Sequence, residues 1–144
     1  MATEQEEFLT VSSFKVSIDG HTWEVYETVS GLGLEIEDLP FAGDKNVTWN
    51  RPGRCTARDI TLVRRFKKDK ELYTWFKDIK SGKTIRKSGS ILLLNDEGSE
   101  VCRFNFFGAW PKSWSAPALS KDVRSGNDIL KETIVLSVQD VEMA

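Results

Sequence analysis

Apolar and polar residues alternate with period two in several segments of this chain, the spacing of strands that bury one face. Phe14, Val16 and Ile18 alternate with Lys15 and Ser17. Asp19–Gly20 is a hairpin turn signal, and Trp23, Val25 and Val29 carry the pattern onward. After Gly31 and Gly33, Leu34 and Ile36 alternate with Glu35 and Glu37 in a third strand. No helix follows these glycines to supply an amino terminus, so they read as a bend or bulge and not as a phosphate cradle. Residues 40–53, rich in Gly, Asp, Asn and Pro, read as one long loop, and loops of that length are commonly contact surfaces. A strand over about 57–65 then points Ile60 and Leu62 inward.

The period changes once. Over residues 70–80, Leu72, Trp75, Phe76 and Ile79 recur at three- and four-residue spacing, which predicts a short helix capped by Asp69 and ended by Ser81–Gly82. Residues 85–94 and 101–110 then form a hairpin around the turn signal Asn95–Asp96–Glu97–Gly98. Cys102, Phe104 and Phe106 fall on one face and Arg103 and Asn105 on the other, until Gly108–Ala109–Trp110–Pro111 is expected to break the strand at an aromatic corner. Residues 115–128 are polar and irregular. One last strand over 129–141 would place Ile134, Leu136 and Val138 on one face and Thr133, Ser137 and Gln139 on the other. The expected fold is mainly β (α+β): an antiparallel sandwich or barrel of six to seven strands with one packed helix and no βαβ alternation.

Composition narrows the function classes. The 144 residues suit a single domain over 1–144, with 1–13 as an acidic amino-terminal extension. A hydrophobic share of 40% and a charged share of 29% are ordinary for a globular chain. No run approaches the roughly 20 apolar residues of a membrane helix, and MATEQEEFLTVSS lacks the basic and apolar parts of a signal peptide. Cys55 and Cys102 have no metal-ligand spacing and read as reduced, mostly buried thiols. His21, the single histidine, sits in a turn, which leaves little for a catalytic triad or a zinc site. No catalytic, cofactor or metal residue is expected.

Net charge is −2, unevenly spread. Residues 24–44 carry Glu24, Glu27, Glu35, Glu37, Asp38 and Asp44 without a Lys or Arg, whereas 51–87 are dominated by Arg and Lys. One reading is a solvated surface. The sharper one is that opposed patches meet on neighbouring copies, because charge complementarity fixes orientation and register.

The order of motifs resembles the contractile-phage tail tube family. The hairpin at Ile18–Asp19–Gly20, then Val29–Ser30–Gly31–Leu32, Arg51–Pro52–Gly53 and Asp59–Ile60–Thr61–Leu62 lead to the helix with Lys70, Glu71, Leu72 and Trp75. Gly89–Ser90–Ile91, Asn95–Asp96–Glu97–Gly98, Phe106–Phe107–Gly108–Ala109–Trp110–Pro111, Trp114–Ser115–Ala116–Pro117 and Glu132–Thr133–Ile134–Val135–Leu136 complete it. The resemblance covers about 14–141. One departure is that Arg64 is followed by Arg65 and Phe66, where many relatives carry Arg–Gly, so the connection there is less permissive of positive φ.

The resemblance implies a structural subunit whose hexameric rings stack into a hollow inner tube. Its implied partners are its own copies, a sheath protein, baseplate and spike proteins, and DNA or protein cargo in the lumen, with assembly in the bacterial cytoplasm and no membrane insertion. Glu35, Glu37 and Asp38, with the loop 41–50, are the candidate contact surface. Arg64, Arg65, Lys67 and Lys68 are its candidate positive complement, and reversing Arg64 and Arg65 is expected to weaken stacking while leaving the fold intact. Trp110 and Trp114 are read either as corner packing or as interface. Thr133, Ser137 and Gln139 face either a lumen or bulk solvent. The alternative function is a monomeric β-barrel ligand-binding module with Trp23, Trp49, Trp110 and Trp114 around a pocket. An acid/base pair of Glu35 and Glu37 ranks last, since a solvated acidic edge is commoner.

Overall fold

A computed structural model describes residues 11–19, 24–118 and 130–144. The expected turn at Gly20 and His21, Trp23, the first ten residues of the extension and most of 115–128 lie outside them. Ten strands and one α-helix form among the described residues: β1 (Ser13–Ile18), β2 (Glu24–Val25), β3 (Thr28–Ser30), β4 (Leu34–Ala42), β5 (Thr48–Ala57), β6 (Ile60–Arg65), α1 (Glu71–Lys80), β7 (Lys87–Leu94), β8 (Glu100–Ser115), β9 (Lys131–Ser137) and β10 (Asp140–Met143). Every pairing is antiparallel.

Two sheets face each other and share β8. In the first, β1 pairs along its length with β7, from Ser13↔Leu94 to Ile18↔Gly89, and β2 adds only two residues at its outer side. Residues at the end of the expected extension are therefore already in the sheet: Ser12 donates its N–H to the Leu94 carbonyl. β7 pairs with β8, and β10 pairs with the other side of β8 over Phe104–Phe107. The second sheet runs from the far half of β8 through β9 and β6 to β3.

The expected break at Gly108–Pro111 does not occur. β8 is sixteen residues long and passes from one sheet to the other, pairing with β7 as far as Ala109 and with β9 from Trp110. Gly108 takes φ +64 at the turn, and the register slips between Pro111 and Ser113, a bulge beside the residue that has no N–H to give. Gly and Pro here turn a strand without ending it, the device that makes the corner of an orthogonal sheet pair. The opposite corner is made by adjacent residues. Tyr26 N–H bonds to Phe14 in the first sheet, and Glu27 N–H bonds to Val63 in the second.

Between the sheets, Ile60, Leu62, Ile91, Phe106, Ala109, Ile134 and Leu136 are fully buried. Each large aliphatic or aromatic side chain so buried contributes about 1.5–3 kcal/mol relative to exposure. α1 adds Leu72 and Trp75 to the same core, and the Trp75 indole donates to the Ile85 carbonyl at 3.1 Å. The helix ends as expected, with Ser81 and Gly82 donating to Lys77 and Ile79 and Gly82 at φ +97. Its start differs, because the residue before the first turn is Lys70 and no side chain caps it. Asp69 is held elsewhere, by Arg64 at 2.8 Å.

Two further expectations are corrected. The last strand is two strands, because the chain turns at Val138 and Gln139 and β10 joins the first sheet while β9 stays in the second. Residues 40–53 are not a loop: β4 and β5 form a separate two-stranded ribbon. It pairs from Leu34↔Ala57 to Ala42↔Thr48, and β5 carries an extra residue opposite Glu37. Past Glu37 neither face of the ribbon is buried, so the alternation of Leu34 and Ile36 does not run on, and a turn-like composition hides the rest of the strands. At its tip Gly43 N–H bonds to the Val47 carbonyl, and Lys45 and Asn46 are left-handed. A side chain on Gly43 would run into the Trp49 indole. Cys55, on this ribbon, is exposed, against the expectation of burial, and Cys102 is buried.

Candidate assembly surfaces

Alternation along β4 places Glu35, Glu37, Leu39 and Phe41 on one face of the ribbon and Leu34, Ile36, Asp38 and Pro40 on the other. Glu35, Glu37 and Asp38 are exposed and form no ion pair among the described residues. Apolar groups stay in water beside them: Ile36 is 57% exposed, Trp49 56% and Phe41 45%, with Trp49 directly opposite Phe41. Arg51 lies over the Phe41 ring at 6.0 Å. The apolar side changes along the ribbon, since Leu34 and Ile36 near the base face opposite to Leu39 and Phe41 near the tip.

The candidate positive patch divides. Arg64 is 2% exposed, so it is not a surface residue. It continues the inward row of Ile60 and Leu62. Its guanidinium donates to Glu132, itself 3% exposed, and to Asp69, while the second Glu132 oxygen accepts the Trp114 indole N–H at 3.1 Å. Reversing Arg64 would therefore attack the interior, and the expected surface effect belongs to Arg65, Lys67 and Lys68, which are exposed. Arg65 bonds to Glu27 at 3.1 Å, and Lys131 reaches the same carboxylate at 2.8 Å. Both cations hold the Glu27 carboxyl below the ordinary carboxylate value, Lys131 foremost. Part of the sequence's charge asymmetry is thus satisfied inside one molecule. The connection that follows needs no left-handed residue, since Lys45 and Asn46 are the non-glycine residues with positive φ among those described.

The two tryptophans of the corner point to opposite faces. Trp114 pairs with Ile134 and lies on the core side, its ring 5.1 Å from that of Tyr73. Trp110 pairs with Ser137 on the outward side and is half-buried. That outward side of the second sheet is rich in hydroxyls: Thr28, Ser30, Thr61, Thr133 and Ser137 share it. Gln139 is not on this strand face. It sits in the β9–β10 connection, exposed, with its side chain against Gly108.

Beside α1 lies a groove of about 320 Å³ lined by Phe66, Lys68, Lys70, Tyr73 and Trp114 among others. Phe66 and Tyr73 were not among the sequence candidates, although an aromatic among lysines just after a strand is a usable signal. Among the described residues no cluster of His, Cys, Asp and Glu is placed to hold a metal, and no helix is long and apolar enough to cross a membrane.

Residues 11–142 match the family model of the T4-like virus tail tube protein gp19. The chain belongs to the tail tube family. No curated protein matches it. A chain of the sheath–tube complex of an extracellular contractile injection system, PVC, in its extended state is 27% identical, with a TM-score of 0.82 over 96% of this chain and 93% of that one. A chain from the tube-terminating cap of the anti-feeding prophage has a TM-score of 0.82 at 23% identity, covering 100% and 95% of the two chains. Hcp1 from Flavobacterium johnsoniae is more distant, with a TM-score of 0.57 at 19% identity over 92% and 94%. These last two speak for the fold.

The tail tube protein is a structural subunit of an inner tube. A tryptophan-lined binding pocket is not favoured. Trp49 sits on the ribbon, Trp110 and Trp114 lie on opposite faces of β8, and Trp23 is outside the described residues.

Proposed function

We propose that this tail tube protein forms hexameric rings that stack into a hollow tube, enclosed by a sheath and ended by baseplate and spike, for the passage of DNA or protein. We place its assembly in the bacterial cytoplasm. The observation that carries this reading is the β4–β5 ribbon. Its nine-residue strand β4 spans about 30 Å, and a ribbon that leaves Ile36, Phe41 and, on β5, Trp49 in water invites a partner. Its apolar side inverts between base and tip, which suits a ribbon gripped by two neighbouring copies. Glu35, Glu37 and Asp38 supply charge for register against Arg65, Lys67 and Lys68 of another subunit.

The hydroxyl-rich outward side of the second sheet supports a lumen-facing role for Thr133 and Ser137. Short neutral side chains would wet a bore, with the Arg65–Lys131 pair at one end of the same face. Gln139 would lie at its margin and Trp110 at its border with the next subunit, whereas Trp114 packs on the core side and shows one edge in the groove beside α1.

Electron microscopy of the purified protein, alone and with its sheath and baseplate partners, tests the reading. Rings or tubes with six-fold symmetry are expected. A strictly monomeric protein in conditions that assemble comparable subunits would sink it. Reversing Arg65 and Lys68 to Glu should weaken stacking with the circular dichroism spectrum unchanged, and normal tubes from that variant would remove the charge-pairing part alone.

A further inference from the structure

We propose that the groove beside α1 receives the acidic amino-terminal segment, residues 4–9, of a neighbouring copy. This rests on the reading of the protein as a self-assembling tube subunit. The groove has an aromatic floor of Phe66, Tyr73 and Trp114 and a basic rim that includes Lys68 and Lys70, and its two carboxylates, Asp69 and Glu132, are both held by Arg64. Phe66 is 46% and Tyr73 42% exposed. Its floor is held in place from below. The Trp114 indole is fixed to Glu132 and tilts against Tyr73, so the aromatic surface is preorganised and costs little ordering on binding.

The segment Glu4–Gln5–Glu6–Glu7–Phe8–Leu9 has the complementary composition: three carboxylates for the lysine rim, then two large apolar side chains for the floor. It lies before residue 11, where the family match begins.

Reach decides whose groove is filled. The chain leaves β1 at Ser12, bonded to Leu94 at one end of β7. The groove lies past the other end: its Trp114 stands on β8 five residues beyond Ala109, which pairs with Lys87. Those ends are about 23 Å apart along a seven-step strand, and the groove is farther on around the barrel. Fully extended chain covers at most about 3.5 Å per residue. Phe8 thus reaches only about 14 Å from Ser12 and Glu6 about 21 Å, and only Glu4, at about 28 Å, passes the end of β7. Phe8 and Leu9 cannot reach the floor of their own groove, so the acceptor belongs to a second copy.

Two full-length proteins in a Cys55→Ser background test this, one carrying Gln5→Cys and the other Tyr73→Cys. When they are mixed, co-assembled and mildly oxidised, a disulfide between different chains is expected. Glu6→Lys with Glu7→Lys, and separately Lys68→Glu with Lys70→Glu, should each raise the protein concentration needed for assembly several-fold. Joining the four substitutions should recover much of the loss. Normal tubes without the cross-link, or a disulfide formed only within single chains of a doubly substituted protein, overturns the proposal and leaves the tube reading standing. Failure of the unsubstituted protein to form rings at all removes both.

Discussion

Arg64 occupies a position where strand periodicity calls for an apolar side chain. Buried next to Glu132, it ties β6 to β9, through Asp69 to the start of α1, and through Glu132 to Trp114 on β8. Removing one partner of a buried ion pair strands the other charge, which costs about 3–5 kcal/mol, whereas replacing both with apolar groups of similar volume is often neutral. Arg64→Ala should therefore lower unfolding free energy by about 3–5 kcal/mol in urea titrations. Arg64→Leu combined with Glu132→Leu should recover most of that loss, although Asp69 and Trp114 then lose a partner. At Glu27 the folded carboxyl titrates below its unfolded value, because Lys131 and Arg65 favour its charged form. Its contribution is present above the unfolded value and disappears as pH falls through the folded one. Glu27→Gln should flatten that acid limb of the stability curve, and added salt should do much the same to the unmodified protein, since the site is open to solvent. In sequence, Arg64 was misread for a simple reason: alternation already placed it inward beside Leu62, but a charged residue in a basic run was read as surface.

Elements with one buried face were legible. β1, β6 and the first half of β8 carry alternation that survives into the structure, and α1 keeps its stripe of Leu72 and Trp75. Of the β4–β5 ribbon only the start of β4, Leu34 to Glu37, was legible, and the rest was hidden because a strand with no buried face has no reason to alternate. The two halves of the last segment were merged because Val138 and Val141 are both buried while the turn between them changes sheets. The ribbon yields a prediction of its own. Phe41→Ser with Trp49→Ser should change unfolding free energy by no more than about 0.5 kcal/mol, the ordinary range for exposed positions. The same variant should fail to assemble, as read by sedimentation. A large loss of monomer stability would mean that the ribbon folds back on its own body.

At the scale of the molecule, the two corners make one structure of the two sheets. Tyr26 and Glu27 divide their bonds between them, and β8 belongs to both. Gly108→Val tests this, because the substitution demands an unfavourable left-handed backbone and pushes into Gln139. The expected outcome is a lower midpoint for a single transition, with circular dichroism and tryptophan fluorescence still coincident. Separate transitions would show the sheets to be independent.

The shared strand has a mechanical side. A tube wall is pulled and twisted as a whole, and sheets that only pack face to face can slide, since van der Waals contact resists shear weakly. Here a displacement imposed on one sheet passes to the other along the covalent backbone of β8, through Phe106, Gly108 and Trp110 in turn. Stress in the wall is met by peptide bonds before it reaches the packing.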